Sequence, residues 1–297
     1  MKILITGAFG FVGHSIFLHL KKKHKVLGLG TNTKNHKVKN NKQLKVQSIT
    51  KINLINLNFE ADIIIHCAGS GSVINSMTNK KLDYDKNVNT TKEVIKYIKQ
   101  LEYKPKVIMF SSAAVYGNDC YKNNKKLRPI SPYGKNKLIA EKLLRLNSQK
   151  LKFKLIILRF YSIYGKELRK QLIWDACKKI NQKINIFFGN GNEVRSWINI
   201  KDVNNFLEFL IKKNIKRNIT LDVSGDDTIN NKDLLQRLFK LLNFSENPYF
   251  NKEYKKGDPK KQIYNNIKLK NYGWKPKVTL LSGLKEYVQW FKIKIKK

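Results

Sequence analysis

Short apolar runs separated by longer amphipathic stretches set the rhythm of the first 160 residues. The runs 2–6, 25–29, 45–47, 62–66, 106–110 and 153–158 show no regular polar alternation. A strand without such alternation is covered on both faces, which is what a parallel sheet between two helical layers requires. Between the runs, apolar positions recur at helical spacing over 11–23, 82–101 and 132–149. Strand and helix in alternation predict an α/β fold: a doubly wound, mostly parallel sheet with right-handed crossovers.

Past residue 160 the rhythm changes. The pattern predicts a helix over 167–180, a glycine-rich loop over 189–192, a helix over 203–213 and a strand over 219–223. A helix over 230–242 follows, then a loop-like stretch, 244–261, carrying Pro248, Gly257 and Pro259. A turn at 273–276 leads into a last amphipathic helix, 280–291. We expect a larger domain, 1–165, and a smaller α/β substrate domain, 166–297, interwoven across a soft boundary. No internal repeat is visible.

Composition limits the partners. The chain has 297 residues, 41% hydrophobic and 27% charged, which is enough apolar material for a core and excludes wholesale disorder. Its formal net charge is +39, from 60 Lys and Arg against 21 Asp and Glu. Such a surplus ordinarily points to nucleic acid or anionic ligands. Only seven of the cations are Arg, however, and the 53 Lys are spread along the chain, with 33 Asn among them. Lys, Asn and Ile share A/T-rich codons, so compositional drift of the gene explains the surplus. Scarce Arg argues against a nucleic-acid partner. Three widely spaced cysteines, Cys67, Cys120 and Cys177, suit a reducing cytoplasm rather than a disulfide framework. All five His precede residue 67 without metal-ligand spacing, so no metal is expected. No apolar run approaches the ~20 residues that span a bilayer, and the apolar start has glycines where a signal peptide would need a cleavage site.

Three motifs carry candidate chemistry. Gly7, Gly10 and Gly13 form a GxxGxxG directly after the first strand and before the first helix. There a tight turn, a close backbone approach and a helix N-terminus together suit a dinucleotide pyrophosphate. Tyr133 and Lys137 are four apart on a predicted helix, hence on one face. A neighbouring ammonium would lower the pKa of a phenol that is otherwise a poor base at neutral pH. Ser112 stands at the carboxyl end of a strand, where open α/β sheets place their ligands, and can donate to a substrate oxygen.

In this order and spacing, the three motifs resemble the extended short-chain dehydrogenase/reductases. Within them the chain is similar to the NAD-dependent epimerase/dehydratase group acting on nucleotide sugars. Further matches are His66-Cys67-Ala68-Gly69, Asn87-Val88-Asn89, Leu158-Arg159-Phe160-Tyr161 with Tyr164-Gly165, and Phe188-Gly189-Asn190-Gly191 with Arg195-Ser196-Trp197-Ile198. Asp202-Val203, Gly257-Asp258-Pro259 and Gly273-Trp274-Lys275-Pro276 complete the set. The resemblance implies a Rossmann sheet, Tyr133 as general acid/base, Lys137 as its pKa tuner and ribose ligand, and Ser112 as polariser of the substrate oxygen. It implies that Phe11 and Val12 give backbone contacts to the pyrophosphate, that Ala68 belongs to the cofactor site, and that Asn87 and Tyr161 line the nicotinamide end. Arg195 would grip the nucleotide-sugar diphosphate, helped by Lys256. It also implies a homodimer through helices 82–101 and 132–149.

Departures from the pattern sharpen the reading. Ala113 and Ala114 stand where the group's dehydratases carry Asp-Glu, which speaks against dehydration. Gly30 stands where NAD-specific relatives carry an Asp, and Thr31, Asn32 and Lys34 follow it, a pocket suited to the extra phosphate of NADP. Gly71 replaces a cofactor-holding Lys of 4-epimerases. On these grounds the sequence favours NADP(H), with NAD(H) the alternative, and reduction of a 4-keto nucleotide sugar. The second reading is a C4 epimerase; the third is a non-catalytic dinucleotide-sensing or RNA-binding protein.

Overall fold

The computed structural model describes residues 1–31, 43–120, 126–213, 215–254, 256–264 and 267–295. The strands are β1 (Lys2–Thr6), β2 (Lys25–Gly30), β3 (Leu44–Val46), β4 (Ile63–His66), β5 (Lys106–Ser112) and β6 (Leu155–Phe160), then β7 (Ser162–Tyr164), β8 (Ile186–Phe187), β9 (Val194–Asn199), β10 (Ile219–Val223), β11 (Thr228–Asn230), β12 (Tyr249–Phe250) and β13 (Lys261–Gln262). The helices are α1 (Phe11–Leu20), α2 (Lys51–Ile55), α3 (Val73–Thr78), α4 (Lys80–Tyr84), α5 (Thr90–Gln100), α6 (Pro132–Leu151), α7 (Gln171–Asn181), α8 (Ile200–Lys212), α9 (Asn231–Leu242), α10 (Ile267–Asn271) and α11 (Leu280–Ile295).

Seven strands in the order β3-β2-β1-β4-β5-β6-β10 make one parallel sheet. Consecutive side chains of a strand point to opposite faces, so each apolar run feeds two cores. Ile3, Ile5, Ile63, Ile65, Ile108 and Ile156 pack under α1 and α8. Leu4, Ile64, Val107, Met109, Leu155 and Ile157 pack under α5 and α6. This two-sided burial is why the runs lack polar alternation. The sheet is the Rossmann-type, doubly wound α/β sheet expected. A third core joins α7, α9 and α11 to Trp197 of β9. There β9 pairs with β7, β11 and β13 in a small mixed sheet. Segments after residue 165 also enter the main core: Val203, Phe206, Leu207 and Leu210 of α8, and Val223 of β10.

Several elements differ from the sequence reading. The expected helix 82–101 is three pieces: α4, a wide turn over Asp85–Asn89 and α5. Thr90 and Thr91 donate their hydroxyls to the carbonyls of Lys86 and Asn87. Such side-chain bonding to the previous turn locally loosens a helix, and wide turns of this kind concentrate at functional sites. The expected helix 167–180 begins at Gln171, because Glu167 (φ 71°) and Gln171 (φ 68°) sit in the left-handed region. The last strand of the first half runs 155–160 rather than 153–158, leaving Phe153 buried at its entry. The stretch read as a loop, 244–261, contains β12, which pairs with β8. β9 escaped notice because its run, VRSWIN, mixes polar residues into a buried strand.

Candidate active site

Between β1 and β4 the strand order reverses, and open α/β sheets bind ligands beyond the carboxyl ends of such strands. Gly7 leaves β1 with φ +75° and donates its N–H to the Leu29 carbonyl at 2.8 Å. At Gly13 a Cβ would stand 2.2 Å from the Gly7 carbonyl oxygen, so only glycine lets α1 close on the loop. The first turn of α1 holds no acid, and Gly10 gives it no side-chain cap. Its positive dipole end is therefore not neutralised from within its own first turn. It opens into a cleft of about 690 Å³ lined by Gly7, Gly10, Phe11, Val12 and Gly13 on this side. Ala68, buried, backs Gly7: a Cβ on Gly7 would lie 2.7 Å from the Ala68 nitrogen. Thr31 is exposed at the end of β2, and Asn32 and Lys34 lie outside the described residues. Gly30 packs against the loop; a Cβ there would meet Phe9 at 3.3 Å.

Ser112, Tyr133, Lys137 and Tyr161 line the same cleft. β5 delivers Ser112 at its carboxyl end, where the Ser112 hydroxyl accepts the Ala114 N–H at 3.2 Å. Ser131 caps α6 by accepting the Gly134 N–H at 3.1 Å, and Pro132 opens the helix. Tyr133 thus sits in the first turn, and Lys137 one turn on. Tyr133 shares a hydrogen bond with Ser112. Lys137 donates to the Phe110 carbonyl at 2.9 Å. Burial pushes the Tyr133 phenol up to about 12; the Ser112 bond pulls against it and the Asp83 charge adds to it. The lowering expected from a neighbouring ammonium is absent: Ser112, not a cation, opposes the burial, and the Lys137 ammonium is engaged with a carbonyl. Burial likewise brings Lys137 down to about 8, against the pull of Cys67, Asp83 and Glu141.

Buried acids behind these groups were missed in the sequence. Asp83 accepts the Asn136 amide at 2.8 Å and acts on both Tyr133 and Lys137. Glu141 accepts Ser111 at 2.5 Å and the Arg159 guanidinium at 2.9 and 2.6 Å. Asn136 and Glu141 stand three and eight residues after Tyr133, a helical spacing that could have pointed to them. Asn87, buried at the wide turn, donates to the Asp83 carbonyl at 3.0 Å. Its Oδ1 has no hydrogen-bond partner, and a Cβ on Gly69 would stand 2.5 Å from it.

The far wall of the cleft comes from the smaller sheet. Arg195 of β9 is 7% exposed and donates to Asp258 at 2.9 Å and to the Val194 carbonyl at 2.9 Å. Lys256 is exposed in the turn before Gly257 and does not line the cleft, whereas Asp258 and Lys260 do. Among the described residues there is no cluster of three or more His, Cys, Asp or Glu able to hold a metal, and no helix long and apolar enough to cross a membrane.

A family model described as the NAD dependent epimerase/dehydratase family matches residues 3–223. The chain belongs to that family. An uncharacterized UDP-glucose epimerase, YtcB, of Bacillus subtilis (strain 168) is 32% identical over 222 residues, 68% of this chain and 70% of its own. A UDP-glucuronate 4-epimerase of Thermodesulfobacterium geofontis (strain OPF15) is 25% identical over 97% of this chain and 95% of its own. In fold, the chain is similar to the UDP-glucuronic acid 4-epimerase of Bacillus cereus, solved with UDP-glucuronic acid and NAD. The TM-score is 0.88 at 23% identity, over 99% of this chain and 100% of that one.

Proposed function

We propose that the protein interconverts the C4 epimers of a UDP-sugar with a retained NAD(H). Carrying this reading is the Ser112–Tyr133 hydrogen bond facing the cleft, with no acid after Ser112. The two relatives described above, matched over 70% and 95% of their length, are named as epimerases, which supports epimerisation over the reduction that the sequence favoured. The residues fit a dinucleotide: the glycine cradle cannot accept side chains at Gly7 or Gly13, α1 presents an uncapped N-terminus, and Asn87 keeps an orphaned oxygen at the Gly69 turn. Gly7, Gly10, Phe11 and Val12 would hold its pyrophosphate, and Lys137, Asn87 and Tyr161 its nicotinamide half. When bound, it supplies a reversible hydride acceptor.

The protein's own part is proton handling. C4 epimerisation through a ketone removes and returns the proton of one oxygen, so one acid/base group serves both directions. Tyr133 takes the C4 hydroxyl proton and gives it back, while Ser112 donates to the same oxygen. Its phenol, above its ordinary value when buried, is a strong acid only toward an alkoxide and a strong base once ionised. The positive end of the α6 dipole favours the ionised form. Dehydration would need a further acid and base beside the sugar, and Ala113 and Ala114 provide neither. Arg195 holds the diphosphate from the far wall. The NADP preference expected from Gly30 and Lys34 rests partly on residues outside the described ones; the neighbour solved with NAD supports NAD(H). We also propose the homodimer through α4–α6, where Leu82, Ile139 and Leu146 are exposed.

The test is incubation with UDP-glucose, UDP-glucuronate or UDP-N-acetylglucosamine without added dinucleotide, followed by NMR. At least one should reach a mixture of C4 epimers. Consumption of added NADPH with a 4-keto sugar, and no epimer exchange, would return the reductase reading.

A further inference from the structure

We infer that Asp83 is a positioning residue of the site, a buried carboxylate fixed behind α6 that sets how firmly Tyr133 and Lys137 hold their protons. The inference rests on the proposed proton-handling role of that pair and deepens it, to a residue that the motifs do not mark. Asp83 lies in the short helix α4 and is 2% exposed. One carboxylate oxygen accepts the Asn136 amide at 2.8 Å, and Asn136 is itself buried. Asn136 stands three residues after Tyr133 and immediately before Lys137, so this bond fixes the carboxylate to the turn of α6 that carries both. From its other side, the Asp83 carbonyl accepts the Asn87 amide at 3.0 Å. Asp83 therefore joins α6 to the wide turn whose Asn87 borders Gly69.

The charge of this carboxylate is not cancelled by its partner. Asn136 is neutral, and the second carboxylate oxygen is buried with no hydrogen-bond partner. A buried polar atom left in that state is rare enough in folded proteins to ask for a function. The groups around it leave Asp83 as the uncompensated anion. α3 carries no titratable residue, Lys80, Lys81, Lys86 and Lys135 are exposed, Tyr84 faces Lys92, and Asp85 accepts the Asn89 amide. Beside Lys137, Glu141 is paired with Arg159 at 2.6 Å. Burial keeps the proton on the Cys67 thiol, and it keeps His66 neutral by pushing it down to about 3.

A negative charge favours the protonated form of a phenol and of an amine alike. At Tyr133 burial is the largest influence and raises the phenol, and Asp83 adds to it. At Lys137 burial is again the largest and lowers the ammonium, and Asp83 opposes it. The carboxylate thus holds both protons in place from behind the cleft. Its weight is greatest at Lys137. With that ammonium already brought down to about 8, losing a negative charge behind it would leave much of it neutral at pH 7.

The full-length protein is compared with Asp83→Asn, which keeps the shape and removes the charge, and with Asn136→Ala, which keeps the charge and removes the tether. Each is titrated by tyrosinate absorbance against the same protein carrying Tyr133→Phe, so the difference reads Tyr133 and needs no substrate. Asp83→Asn should bring the Tyr133 ionisation down by about one pH unit or more, the size of effect a nearby buried charge exerts. Asn136→Ala should move it the same way and less, because an untethered buried carboxylate keeps its charge less well. In turnover assays the alkaline limb, set by loss of the Lys137 proton, should move down with Asp83→Asn. A merely structural change would lower the rate at every pH and displace nothing. A folded Asp83→Asn protein whose Tyr133 ionisation stays in place or rises would overturn the inference, as would an alkaline limb that does not move. If Asp83→Asn does not fold, Asn136→Ala decides by the same criterion. A displaced Tyr133 ionisation in a protein that interconverts no epimers keeps Asp83 in its role and removes only the catalytic reading.

Discussion

Tyr133 and Arg195 separate the chemistry from the binding at the scale of single residues. Tyr133→Phe keeps the ring and loses the proton, so turnover should fall by ~10²–10⁴ while dinucleotide affinity stays within about twofold. Single-turnover kinetics beside a fluorescence titration checks this, and a loss under tenfold would remove Tyr133 from the mechanism. Arg195→Ala should weaken UDP by about 2 kcal/mol, the cost of one charge-assisted grip, and leave NADH nearly unchanged. Calorimetry reads it; the opposite pattern would put Arg195 on the cofactor side. Part of this site was legible because its chemistry depends on fixed local spacing. Tyr133 and Lys137 share a helix face, and the glycines share one turn. Asp83 was not, since it meets its site across the fold, and Glu141 went unread although it shares α6 with Tyr133 and Lys137. Asp83 reaches α6 from 53 residues away.

Elements were legible where one rule governed them. The six apolar runs mark six strands of the main sheet, because burial on both faces leaves no polar trace to confuse the pattern. The wide turn at Asp85–Asn89 and the short strands of the smaller sheet escaped, because threonine back-bonding and two- or three-residue pairings leave no period. One packing contact yields a prediction. Glu208 on α8 binds Lys23 at 2.7 Å and His19 at 3.0 Å, tying α8 to the end of α1, and Lys212 at 3.2 Å. The Lys23 hydrogen bond, foremost, holds the Glu208 carboxyl at about 2. A depressed carboxylate stabilises the fold above its unfolded pKa of ~4.3, and that contribution is lost as pH falls toward about 2. Lys23 and Lys212 are mostly exposed and screened by water, so the worth is ~1 kcal/mol rather than the full shift. Urea unfolding of Glu208→Gln should show that deficit near pH 7 and a shrinking one from about pH 4 downward. A deficit constant with pH would make it a packing effect.

For the whole molecule, the open matter is whether a net charge of +39 serves the reaction or merely records the gene's composition. The cleft gives a way to decide. Its lining carries Lys137, Lys170, Lys178, Lys179, Lys260 and Arg195 against Asp175, Glu193 and Asp258, so the local field has the same sign as the global one. A nucleotide sugar brings two negative charges on its diphosphate. Fields of one sign in a low-dielectric cleft raise the local concentration of such a ligand and its on-rate by 10–10³. Raising ionic strength from about 0.01 M to 1 M shortens the screening length from about 30 Å to 3 Å, and the distant lysines then drop out. Substrate capture should suffer and chemistry should not, because Tyr133 and Ser112 act inside the cleft through short contacts. We therefore expect kcat/KM to fall at least tenfold over that range while kcat stays within about twofold, in initial-rate assays with a neutral salt. A kcat/KM that hardly moves would leave the lysines as a solvated surface with no part in catalysis. A fall in kcat as large as the fall in kcat/KM would mean that salt disturbs the Ser112–Tyr133 pair itself rather than the approach of the substrate.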